Sequence, residues 1–196
     1  MNYTNKVCSF TGYRPKKLNA CLANPSSLQA PLKLEDINSC LYERVCEMLD
    51  EDFTTFQCGM AIGSDLMFAQ AVLKLKQRYS SLVKFIAVLP CLNHDKGWSE
   101  AERLQCREII EKADDVVLIN NSPYFDGCMA KRNRYLVETC DELLAVYDGQ
   151  RGGTMQTINY AKGRGLKITV IDPSRSVMIT LRESLEESYI IERNLL

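Results

Sequence analysis

A chain of 196 residues is long enough for one sizeable hydrophobic core and short for two, so a single domain over 1–196 is the expectation. Apolar residues make up 46% and charged residues 25%, ordinary values for a folded globular protein. A net charge of −1 argues against a chain built to neutralise duplex phosphates, so nucleic acid is not expected as a partner.

The first apolar run, "KVCSF", has strand character and is ended by the turn Thr11–Pro15. A long stretch to about Lys33 follows, containing Pro15, Pro25 and Pro31, and reads as a loop that either closes over a ligand or simply wanders. From Leu34 to about Glu51, Ile37, Leu41, Val45, Met48 and Leu49 recur at helical spacing. "TTFQCG" reads as a second strand, and the helix after it carries Leu66, Ala69, Val72 and Leu73 on one face. "VKFIAVLP" is a third strand whose near-continuous apolar character suits burial on both faces.

Ser99 with Glu102 three residues on predicts a capping box at the start of the next helix. "DVVLI" is a fourth strand, "MAKRNRYLVETC" a helix and "ELLAVYD" a fifth strand. "TMQTINYAKGRG" is a helix stopped by Gly163 and Gly165, and "KITVID" a sixth strand. The tail from Ser174 to Leu196 is expected to be partly helical, with Ile190, Ile191, Leu195 and Leu196 as a candidate interface. Six apolar strands alternating with five helices predict an α/β fold: an open, mostly parallel, Rossmann-like sheet with helices on both faces.

Nine cysteines stand singly, an odd number without a Cys-x-x-Cys pair, and no apolar leader precedes Val7. A reducing cytoplasm is therefore the expected compartment, and no apolar run approaches the ~20 residues of a membrane span. His94 is the single histidine, and Cys91 with His94 is too small a ligand set for a metal. No metal and no resident cofactor are expected. The same pair reads either as a Cys–His nucleophile or as a loop histidine near a buried thiol.

Ligands of such sheets bind beyond the carboxyl ends of the strands, where strand order reverses. The turn after the first strand offers Thr11, Gly12 and Arg14, whose forked guanidinium suits phosphate or carboxylate. The turn after the second offers Gly59, Ala61 and Gly63, small residues that admit close approach, with Asp65 in the helix's first turn. Asp65 is either a dipole-favoured carboxylate or an acceptor for ribose hydroxyls. Of the successive Lys131, Arg132, Asn133 and Arg134, at most two share a helical face. The run is a solvated basic face, or else Arg132 or Arg134 reaches back as a phosphate clamp. After the fifth strand, Asp148 and the run Gly152-Gly153-Thr154 place a carboxylate, glycines and a hydroxyl at a helix start, a ready anion site.

The motifs "CSFTGYRP", "GMAIGSDLMFAQAVL", "IAVLPC", "GCMAKRNRYLV" and "LLAVYDGQRGGT" come in order over residues 8–172. Together they closely resemble the SLOG superfamily, in particular its small bacterial YpsA-like branch; its other members include DprA and the LOG phosphoribohydrolases. The resemblance implies a Rossmann-like fold, a nucleotide or nucleotide-derived ligand held along these motifs with Pro90 among them, and often a homodimer. The LOG enzymes cleave nucleoside monophosphates with a Pro-Gly-Gly-x-Gly-Thr-x-x-Glu motif and an arginine. Aligned on Gly153-Thr154, its two leading glycines fall on Gln150 and Arg151, and its Glu falls on Thr157. Arg132 or Arg134 matches the arginine, while the proton-handling carboxylate is absent, with Asp65, Asp148 and Glu138 as its possible substitutes. The primary expectation is a nucleotide-binding or sensing protein. A hydrolase of N-glycosidic bonds and a DprA-like module for single-stranded DNA or a protein partner are the alternatives.

Overall fold

The computed structural model describes residues 5–24, 32–183 and 188–195. Eight strands lie in one sheet in the order β4-β3-β2-β1-β5-β6-β7-β8. These are β1 (Lys6–Gly12), β2 (Phe53–Cys58), β3 (Lys84–Leu89), β4 (Asp115–Leu118), β5 (Glu142–Val146), β6 (Lys167–Asp172), β7 (Val177–Glu183) and β8 (Ser188–Asn194). The first six pair in parallel. Six helices accompany them: α1 (Pro15–Ala23), α2 (Leu34–Asp50), α3 (Ser64–Arg78), α4 (Glu100–Ile110), α5 (Cys128–Glu138) and α6 (Gly153–Gly163).

Most of the apolar runs become inner strands covered by helices on both faces, whereas β4 forms an edge of the sheet and is largely exposed. Every residue of β5 is buried. The larger core joins Phe10, Phe56 and Phe85 of the sheet to Ile37, Leu41, Val45 and Met48 of α2 and Phe68 of α3. The Phe10 and Phe68 rings stack at 4.5 Å. A second cluster packs Ile158 and Ala161 of α6 on Leu143, Ala145, Ile168 and Val170. Ser99 and Glu102 form the expected capping box of α4.

Two expectations are corrected. The described residues of the tail are not helical: β7 pairs antiparallel with β6, and β8 with β7, from Val177↔Asn194 to Glu183↔Ser188. Runs such as "VMIT" and "YII" favour a pleated ladder over a helix. The stretch after Gly12 is not loop throughout, because Pro15 opens α1 at a position where its missing N–H is harmless. Residues 25–31 lie outside the described residues.

At the edge where the parallel strands begin, Glu142 is fully buried. Arg44 Nη2 lies 3.1 Å from its Oε1 and Lys167 Nζ 2.9 Å from its Oε2, while the Thr169 hydroxyl donates at 2.7 Å. This ion cluster sits at the opposite edge of the sheet from the site described next.

Candidate functional site

The strand order reverses between β1 and β5: β2, β3 and β4 are laid to one side of β1, and β5 onward to the other. Beyond the carboxyl ends of these two strands opens a cleft of about 430 Å³. Its walls come from the turn after β1 and the starts of α1, α3, α5 and α6.

Arg132, in the second turn of α5, is 5% exposed yet lines this cleft. Neither Nε nor Nη1 has a hydrogen-bond partner among the described residues. Its closest charge is Asp65, with Nη1 3.6 Å from Oδ2. A buried donor without an acceptor costs roughly 1–3 kcal/mol, more when charged, so this guanidinium is held short of satisfaction. Burial draws it down from its ordinary value, against the pull of Asp65. Gly59 makes the position possible, since a Cβ there would fall on the guanidinium itself.

Asp65 stands in the first turn of α3, where its Oδ2 accepts from the Ala61 N–H at 3.2 Å. Burial raises its carboxyl above the ordinary value, although Arg132 pulls the other way. Gly63 caps this helix at φ +93°, and a Cβ there would meet the Tyr13 carbonyl at 2.6 Å. The Ser64 N–H and hydroxyl donate to that same carbonyl at 3.0 and 2.9 Å, joining the α3 start to the β1 turn.

Thr154, in the first turn of α6, donates its hydroxyl to the Gly12 carbonyl at 3.2 Å. It therefore ties α6 to β1 and does not cap its own helix. The starts of α1, α3, α5 and α6 all lack a side-chain cap, in contrast to α4. The first amides of α3 and α5 donate to the Tyr13 and Phe125 carbonyls, and the first-turn amides that follow carry the positive end of the helix dipole beside a cleft that also holds a buried cation.

Thr11, Gly12, Arg14, Ala61, Asp65, Arg132, Gly153 and Thr154 thus come together as the sequence suggests. Lys16, Lys17, Tyr13, Met129 and Asn133 join them without having been singled out. Pro15 as a helix start signals the two lysines, because it aligns the residues following Arg14 on the first turn. Lys17 also donates to the Arg151 carbonyl, bridging α1 to the turn before α6 beside Gly152.

Other candidates lie elsewhere. Arg134 stacks over the Tyr160 ring at 5.7 Å in a neighbouring groove. The Asp148 carboxylate accepts from the Tyr13 hydroxyl and from Gln150 N–H, and lies outside the cleft lining. Pro90 is buried, its carbonyl accepting from Asn120 at 3.0 Å. Glu138 accepts from the Tyr160 hydroxyl at 2.6 Å. His94 is 4.0 Å from Cys106, and Cys91 lies instead 3.7 Å from Cys128, its thiol pushed up to about 11 by burial and that neighbour. No Cys91–His94 nucleophile is assembled. Among the described residues there is no cluster of three metal-ligating side chains, and no helix is long and apolar enough to cross a membrane.

An open α/β sheet with a cation-lined cleft at its reversal point defines a Rossmann-like protein. The chain belongs to the YspA SLOG family, whose family model matches residues 8–175. It is similar to UPF0398 protein BH1768 of Halalkalibacterium halodurans, 28% identical over 150 residues that cover 76% of each chain. It is also similar to the uncharacterized SPbeta prophage-derived protein YoqJ of Bacillus subtilis, 28% identical over 142 residues, 67% of this chain and 81% of that one.

Among solved structures it resembles the DNA processing protein A (DprA) of Streptococcus pneumoniae, with TM-score 0.58 and 17% identity over 86% of this chain. The match spans half of the pneumococcal chain. DprA of Helicobacter pylori gives TM-score 0.56 and 16% identity over 94% of this chain and 69% of that one. At such identities the likeness is one of fold. The Helicobacter protein is described by its single-stranded DNA binding mode. The expectation that nucleic acid is no partner, drawn from the near-neutral charge and the lack of a clear aromatic-basic stripe, finds no support in these comparisons.

Proposed function

We propose that this protein binds a nucleotide or nucleotide-derived anion in the cleft between β1 and β5. One observation carries the reading: Arg132 is buried at the cleft wall with two unpartnered nitrogens, next to four uncapped helix starts. An anion there supplies the missing acceptors, and charge-assisted bonds are about twice as strong as neutral ones. Arg14, Lys16 and Lys17 at the mouth add attraction for a charged ligand. Asp65 is the carboxylate of the lining and is held against Arg132, while Thr157 stands where the LOG enzymes have Glu. The reading is binding without turnover, because the position of the LOG proton-handling Glu holds Thr157 and the cleft's own carboxylate, Asp65, faces Arg132.

The test is calorimetry and thermal shift of the full chain against nucleotides, ADP-ribose, NAD and sugar phosphates, repeated with Gly153→Asp. Nothing stands within 4 Å of a Cβ at Gly153, so the carboxylate is tolerated sterically but repels an anion at the α6 start. A hit in the parent lost in the variant supports the reading. No hit at millimolar ligand overturns it, and free base released from a nucleoside monophosphate overturns the absence of turnover.

Single-stranded DNA is the second reading, favoured by exposed Arg14, Lys16 and Lys17 together with the exposed ring of Tyr124 and the Lys131–Phe125 contact at 5.0 Å, all on this edge of the sheet. Cations that track a backbone beside rings that stack bases are the elements of such binding. Oligonucleotide retention that falls steeply with salt distinguishes it from capture of a mononucleotide.

A further inference from the structure

We propose that the groove between α5 and α6 receives the heterocyclic base of the ligand and reads it through the carboxamides of Asn133 and Gln156. This rests on the anion reading above and adds the second half of the same site.

The groove encloses about 260 Å³ between Ala130, Asn133 and Arg134 of α5 and Gln156, Thr157 and Tyr160 of α6. Asn133 lines both this groove and the cleft, so the two are neighbours that share one side chain. Gly153 borders the cleft, and Gln156 and Thr157 border the groove one turn further along α6. The two halves differ in chemistry. Several cations and helix starts surround the first; carboxamides, a hydroxyl and a phenol ring with a single cation, Arg134, surround the second. Typical small-molecule sites, about 300–1,000 Å³, combine such a few placed polar groups with a shaped wall.

Asn133 is held for this role. Its Nδ2 donates to the Thr157 hydroxyl at 2.9 Å, which donates in turn to the Gly153 carbonyl at 3.0 Å. Thr157 is itself buried, so the chain fixes the Asn133 carboxamide relative to the first turn of α6, where the anion sits in our reading. The Asn133 Oδ1 has no hydrogen-bond partner among the described residues, and neither does the exposed Gln156 carboxamide. A carboxamide presents a donor and an acceptor side by side, the pattern that pairs with the edge of a nucleobase. Arg134 over the Tyr160 ring closes the far end with a flat surface against which a planar ring packs.

The test is calorimetry on the full chain with ribose 5-phosphate as the probe of the anionic end and the common nucleoside monophosphates as probes of both halves. We expect one monophosphate to bind at least about tenfold tighter than ribose 5-phosphate. Gln156→Ala, on an exposed position, and Asn133→Ala are each expected to shrink that ratio about three- to tenfold, as the loss of one hydrogen bond does. Gln156→Ala leaves ribose 5-phosphate binding unchanged. Gln156→Glu replaces the donor with a charge and supplies a second variant at a site that tolerates it; it too is expected to lower the ratio. Equal binding of monophosphate and ribose 5-phosphate, or a preference that survives both alanine variants, overturns the proposal while the anion site stands. If neither probe binds at millimolar concentration, the anion site falls and this inference falls with it.

Discussion

A Cβ on Gly59 and the guanidinium of Arg132 compete for the same space, so the glycine after β2 determines where the arginine of α5 can point. Gly59→Ala is expected to push the guanidinium out of the cleft wall. Anion binding then falls about 10- to 100-fold, the loss of one or two charge-assisted bonds. The crowding lowers stability by roughly 1–3 kcal/mol. Calorimetry with the ligand found above and urea unfolding measure the two effects separately.

Arg132 and Asp65 form a buried pair with incomplete hydrogen bonding, an arrangement that serves binding better than stability. Arg132→Met leaves a buried carboxylate without its counter-charge and is expected to cost about 3–5 kcal/mol at neutral pH. Arg132→Met with Asp65→Asn removes both charges and recovers most of that loss. Both variants lose the anion. Urea midpoints of the two single variants, the double variant and the parent complete the cycle; equal instability of the single and double arginine variants contradicts the pairing.

The same pair gives a signed dependence on pH. Burial raises the Asp65 carboxyl above 3.8, so its contribution is fully present below that value and is lost as pH rises through the raised one. The stability of the parent relative to Asp65→Asn is therefore greater near pH 4 than at pH 7. Glu51 behaves oppositely: burial pushes its carboxyl up, but hydrogen bonding and charge from Arg44, then Lys167, hold it below 4.5. Its contribution is present above 4.5 and is lost as pH falls through the lowered value. Parent relative to Glu51→Gln is more stable at pH 7 than at pH 3.5. Urea unfolding at the two pH values reads both signs.

Glu142 tests whether scaffold and site are separable. It is fully buried and joins Arg44, Lys167 and Thr169 at the edge remote from the cleft. Glu142→Gln strips the charge from two cations and is expected to lower stability by about 3–5 kcal/mol. Ligand affinity of the folded protein stays within about twofold, because no cleft residue contacts the cluster. A parallel fall in affinity, measured by calorimetry well below the melting point, contradicts that separation.

The inner parallel strands were legible because a strand covered on both faces is written as an unbroken apolar run, as in "LLAV" of β5; β4 at the sheet edge was legible from its apolar run although its residues are largely exposed. The last two strands were not, because β7 and β8 have partly exposed residues such as Ile190 and Ile191, and their apolar pattern suits helix and strand alike. α1 was hidden in a stretch that reads as loop because of Pro15, Pro25 and Pro31, although Pro15 is a helix start. At the site, the turns could be read from small residues and Arg14, since topology alone brings strand ends together. The choice between Arg132 and Arg134 could not be made, because it depends on Gly59, far away in sequence. Asp148 looked available for the same reason: its partner Tyr13 lies 135 residues earlier.

β1 precedes the other described strands in the chain and ends at the reversal point, paired with β2 on one edge and with residues 142–146 on the other. A ribosome delivers the chain from its N-terminus, so β1, β2 and α2–α4, which hold most of the larger core, emerge long before β5. Throughout that interval the second edge of β1 is bare, a template for any stray strand. Gly153 and Thr154, the last wall of the cleft, arrive later still. A nascent chain shorter than about this point has Arg132 but not the α6 wall, so a ligand that needs the whole cleft is expected to protect finished molecules without rescuing truncated ones.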